Sequence, residues 1–133
     1  MPEAVVVELK PAFRALCAKL REFWSMMSFA VGHLGFDVSM VESSRDGALQ
    51  FVVLFADATG NDVRMIWTAV GGSEVSLVVR DGRGGKRLGT YRLSDLVGSA
   101  LRDLIDGAIA DAIARVEAFA ANRGRSRERQ RPA

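Results

Sequence analysis

Few residues in this chain are suited to chemistry, and the richest concentration of them is the stretch VVRDGRGGKRLGTYRL at positions 78 to 93. Glycines around a lysine can cradle a phosphate. In a P-loop, Gly, four residues and then Gly-Lys-Ser/Thr put backbone amides round the anion and a hydroxyl on magnesium. Here Arg80 stands where the first glycine belongs and Arg87 where the hydroxyl belongs, so both ends of the motif are missing around Gly85-Lys86. The stretch also runs into LGTYRL, which reads as a strand, whereas a phosphate loop opens a helix. Asp81-Gly82 is itself a hairpin signal. The expected structure is a flexible hairpin tip, with Arg83, Lys86 and Arg87 leaving only a weak, unspecific anion contact.

The remaining chemistry is thinner. One histidine and one cysteine cannot build a His- or Cys-based metal cluster within a single chain, so neither a metal nor a cofactor is expected. Cys17 falls on an apolar helical stripe, where a thiol packs as a small inert hydrophobe. His33 falls at a helix end, where an imidazole caps the last carbonyls. Arg102 and Asp106, like Asp111 and Arg115, are four apart and read as solvated pairs on a helix face. No convergent base, nucleophile or carboxylate dyad emerges, and the chain leans away from catalysis.

The elements that carry these residues follow from periodicity. From Pro11 to Leu34, apolar residues recur at steps of three and four, giving a first helix with Pro11 at its start and the Gly32–Gly35 region as its stop. Val5-Val6-Val7, ahead of it, fits a short edge strand or a helical lead-in. From Phe36 the period becomes two, and strand-like runs follow at 49–56, 63–70, 74–80 and 88–93. The short connections leave no room for crossover helices, so the five strands should form an antiparallel meander. LQFVVLFA and VRMIWTAV are apolar at nearly every position and are expected in the middle of the sheet, covered on both sides. Ser94 reads as the N-cap of a long second helix that Gly124 should end. The fold class is α+β: residues 1–122 as one domain, then a disordered, Arg-rich tail at 123–133 whose removal should leave the melting temperature unchanged.

At 133 residues, 49% apolar and 26% charged, the chain can bury a proper core without staples. Its net charge of +2 is uneven: residues 1–122 carry 13 basic against 15 acidic side chains, while the last eleven hold five arginines and one glutamate. The body is near neutral, and nucleic acid is not an expected partner. The tail's arginines lack interleaved aromatics for base stacking. With a lone cysteine, no cationic apolar leader at Met-Pro-Glu-Ala and no long uncharged run, the expectation is a cytoplasmic protein with no membrane segment.

What stands out is surplus apolar surface. At about 100° per residue, Met26, Phe29 and His33 share the side of the first helix opposite its main stripe. On the second helix, Gly107, Ala110 and Ala114 lead a ridge of small residues away from the large aliphatics, a surface that lets another backbone come close. These six residues are the expected partner-binding surface. Together they suggest a protein-interaction module that binds another protein or a second copy of itself, most simply as a two-fold homodimer. Small bacterial adaptors, secretion chaperones and toxin-neutralising proteins act in this manner. Alternatively, the order helix, meander, long helix resembles that of helix-grip proteins, which hold apolar ligands between sheet and helix. That resemblance implies a pocket with Trp24, Trp67 and Tyr91 among its lining residues.

Overall fold

The computed structural model describes the backbone of residues 2–45, 47–71 and 73–130 and the side chains of residues 11–44, 47–71 and 73–123. In chain order the elements are α1 (Pro2–Glu22), α2 (Trp24–Gly32), β1 (Asp37–Arg45), β2 (Ala48–Ala56), β3 (Asp62–Val70), β4 (Glu74–Asp81), β5 (Gly84–Arg92), a 3-10 turn at Leu93–Asp95 and α3 (Gly98–Gln130). The five strands pair antiparallel in the order β1-β2-β3-β4-β5. This is the α+β meander the strand periodicity implies.

Among the described residues, helices cover only one face of the sheet. Phe51, Val53 and Phe55 of β2, Met65 and Trp67 of β3, and Val75, Leu77 and Val79 of β4 are fully buried. Register sets them side by side, with Phe51 opposite Trp67 and Trp67 opposite Leu77. α3 lies over β3 and β4, and α2 over β1. α1 meets the same face: its Arg21 pairs with Glu42 at 3.0 Å and lies over the Phe51 ring. The core is completed by Phe13, Leu16, Cys17 and Leu20 of α1, Met27 and Val31 of α2, and Ile105, Ala108, Ala112 and Val116 of α3. Among the described residues no charged or polar residue is buried as a whole.

Double coverage of β2 and β3 is therefore corrected. Both are interior strands, but their other face, with Val52, Leu54, Ile66 and Thr68, is only half-buried, and among the described residues no helix packs on it. Among the described residues the three helices all roof one side of the five strands, and none is left for the other.

Helix boundaries also differ. The first helix begins at Pro2, taking in the Val5–Val7 stretch and leaving Pro11 inside α1. It breaks at Phe23, whose backbone (φ −90°, ψ −1°) tightens the turn, so that the α1 stripe ending at Leu20 and the α2 stripe of Met27 and Val31 both face the core. α2 ends as the glycines imply. Gly35 takes φ +83°, and the Phe36 amide donates back to the Val31 carbonyl at 3.3 Å while its ring enters the core, a Schellman-type stop. Ser94 is not the cap of α3: a 3-10 turn occupies Leu93–Asp95 and the helix starts at Gly98, leaving Val97 65% exposed. α3 passes the stop expected at Gly124. Arg123 belongs to the folded body. The rest of the expected tail, the side chains of 124–130 and all of 131–133, lies outside the described residues.

Candidate functional site

α2 is short and apolar on nearly every side because two requirements meet on it. Met27 and Val31, one turn apart, seat it on the core. On the opposite side, Phe29 stands 88% exposed, Met26 is 46% exposed, and His33 is exposed at the end of the helix. About 60° of helical rotation spans the three, so they make one patch. Trp24 lies on the other flank, half in solvent, and its indole N–H donates to the Val38 carbonyl of edge strand β1 at 2.9 Å.

Gly107, Ala110 and Ala114 are exposed on α3. A Cβ added at Gly107 would meet nothing within 4 Å, so its smallness serves no contact inside one copy. α2 and α3 pack against each other, which places both sets of residues in the helical layer.

The three aromatic residues of the alternative reading do not meet. Trp67 is wholly inside the core, where its indole nitrogen finds no acceptor. Tyr91 borders an open groove beside Leu96 and Leu104, its ring lying over Gly89 and its hydroxyl donating to the Leu88 carbonyl at 2.9 Å. Trp24 is at the β1 edge.

The basic residues do not converge either. A bulge at Leu88 sets Arg87 on the open face opposite Val78, while Lys86, opposite Val79, is on the other side. The Arg87 guanidinium donates to Thr90 Oγ1 at 2.6 Å, and that of Arg83 turns back to stack 5.5 Å from the centre of the Phe119 ring. Nor is the tip free. Arg115 of α3 pairs with Asp81 at 3.1 Å and with Asp111 at 3.2 Å, and donates to the Gly84 carbonyl at 3.3 Å. Burial opposes the charge on Arg115, but its hydrogen bonds to Asp111 and Asp81 outweigh it and raise its pKa. The Asp111–Arg115 pair expected in solvent is thus the clamp of the hairpin.

Cys17 and Asp57 are the remaining groups with shifted titration. Burial, with Glu42 adding to it, pushes the Cys17 thiol up to about 12, where it is no nucleophile. Asp57 accepts from the amides of Thr59 and Asn61 and from both their side chains, all at 2.9 to 3.1 Å, and its carboxylate is closed off from solvent. Burial pulls its pKa up, yet these hydrogen bonds prevail and hold it below the usual carboxylate value. Its lone pairs are already engaged, so it ties a loop together. Across the loop Arg123 reaches Asp57 at 3.5 Å, donates to the Leu34 carbonyl and covers the Phe36 ring at 5.4 Å. Sequence reasoning put Arg123 in the tail. The signal that finds it is its place four residues beyond Phe119 on the core stripe.

Among the described residues no three His, Cys, Asp or Glu side chains are grouped to hold a metal ion, and no helix is long and apolar enough to cross a membrane. No protein-family model, curated protein or solved structure matches the chain.

Proposed function

We propose that this protein is a non-catalytic interaction module, of the adaptor, chaperone-like or neutralising kind, that associates with itself through its helical layer. The observation that carries the reading is Phe29, 88% exposed beside a half-exposed Met26 on a helix already seated by its other side. A phenylalanine in that position adds nothing to the folding of one copy. Burying it against a partner is worth roughly 1.5–3 kcal/mol, enough to shift an assembly constant by one to two orders of magnitude. The small ridge of Gly107, Ala110 and Ala114 supports the same layer as a contact surface, since it lets another backbone approach.

Sedimentation velocity over a range of concentrations tests the reading. The wild-type chain is expected to assemble with rising concentration. Phe29→Asp is expected to reduce the assembled size with the melting temperature unchanged, because an exposed site costs within about 0.5 kcal/mol of folding stability. A wild-type chain that stays monomeric throughout, or a Phe29→Asp chain that unfolds, overturns it.

A further inference from the structure

We infer that the open face of the sheet is a second interface, and that its occupant is another copy of this chain packed sheet against sheet. Register places Val41, Val52, Ile66 and Val78 in one unbroken row across β1 to β4. Leu54 adjoins the row on one side; Val41 is 52% exposed. An antiparallel sheet with one wet face normally alternates apolar inward with polar outward, and here the outward row is aliphatic from an edge strand to the fourth strand.

The rows on either side decide what can sit there. On one side lie Arg64 and Arg80, register partners, and on the other Gln50, Thr68 and Ser76. A copy turned by 180° about the aliphatic row would set aliphatics on aliphatics, and the guanidinium row of each chain on the hydroxyl and amide row of the other. Arg64 is already neutralised by Asp62 at 3.2 Å. Of the charged side chains, only Arg87, at the end of the row, would face its own copy, and it is turned aside to Thr90. The size is also right. Five strands about 4.8 Å apart and eight to nine residues long make a face of about 24 by 28 Å. Two such faces bury on the order of 1,300 Å², within the range of stable specific complexes. Edge-to-edge pairing is less open to the chain, because the Trp24 indole occupies the Val38 carbonyl of β1.

This interface lies on the layer opposite Phe29, so the two can be tested apart. In the Phe29→Asp chain, sedimentation equilibrium is expected to find a dimer, and adding Ile66→Lys to weaken it at least tenfold. In the same chain, Ile66→Cys is expected to give a covalent dimer with a short bismaleimide, because the two-fold row brings residue 66 near its own copy. The wild-type cysteine is buried and supplies a silent background. Should Ile66→Lys unfold the chain, Val41→Lys, on a half-exposed edge position, takes its place. A Phe29→Asp chain that is monomeric, a dimer indifferent to the lysine, or no cross-link in a dimer that persists overturns the sheet interface and leaves the helical one standing. A wild-type monomer overturns both.

Discussion

Replacing Arg123 by alanine is the sharpest test of how the described fold is closed. The guanidinium of α3 sits against two other segments: the α2–β1 connection, at the Leu34 carbonyl and the Phe36 ring, and the β2–β3 loop at Asp57. A charge-assisted hydrogen bond to a carbonyl contributes roughly 1.5–3 kcal/mol. The ion pair to a covered carboxylate adds about 1 kcal/mol and the ring contact about 0.5–1 kcal/mol. Fixing an arginine side chain costs about 2 kcal/mol. The net loss is about 1–3 kcal/mol, and at about 4 °C per kcal/mol for a chain of this size the melting temperature should fall by roughly 4–12 °C. Scanning calorimetry of the full-length variant measures it. Ending the chain at Asn122 should cost as much, and ending it at Gly124 should cost less, which replaces the expectation that removing 123–133 is neutral. Asp57 supplies a pH signature. Its folded pKa lies below the ordinary 3.8, so the stability it contributes is complete above that value and fades as the pH falls through the folded one. The gap between wild type and Asp57→Asn should therefore be widest at neutral pH and narrow as the pH falls below 3.8. An Arg123→Ala chain melting within 2 °C of wild type would refute the argument.

Arg115→Ala should release the β4–β5 hairpin. It leaves the Asp81 carboxylate, whose side chain is 9% exposed, with the Arg83 amide at 2.7 Å as its remaining described donor. A loss of about 2 kcal/mol is expected, discounted from a fully buried pair because the guanidinium is a quarter exposed. It should be accompanied by faster amide exchange at residues 84 and 85, and the Asp81→Ala, Arg115→Ala double variant should recover part of the loss. Unchanged exchange at the tip would count against the clamp. Cys17, with its thiol pushed up to about 12, should resist Ellman's reagent at pH 8 in the native protein and react fully in guanidinium. Rapid labelling of the native chain would mean the α1 stripe is not closed.

The strands were legible because their alternation is set by one local rule: β2, β3 and β4 fall within a residue of where period two places them, while β1 runs on to Arg45 and β5 begins at Gly84, inside the stretch read as a turn. The outer shape of α2 was legible for the same reason: helical rotation alone separates Phe29 from Met27. Clamps were not. Arg115 meets Asp81 across 34 residues and Arg123 meets Leu34 across 89, and nothing local marks such pairs. Helix ends failed where tertiary packing outweighs capping chemistry. Ser94 has the right side chain for a cap, but the chain leaving β5 first makes a 3-10 turn, which moves the helix start to Gly98.

Coverage of the sheet is the instructive miss, because the information was present in the wrong unit. Counting apolar residues makes β2 and β3 two-sided. Sorting them by parity and size does not. The larger side chains, Phe51, Phe55, Met65 and Trp67, all share the inward parity, whereas Gln50, Arg64 and Thr68 share the outward one with Val52, Leu54 and Ile66. A strand buried on both faces has no reason to keep its polar residues on one parity, since either side would leave them without water. A strand facing bulk solvent gains only about 0.2–1 kcal/mol per pair by lining up aliphatics with its neighbours in register. A mixed outward face, aliphatic in one row and hydrogen-bonding in those beside it, suits a surface that is wet in the free chain and dry in an assembly. That is the composition of a protein surface that exchanges water for a partner.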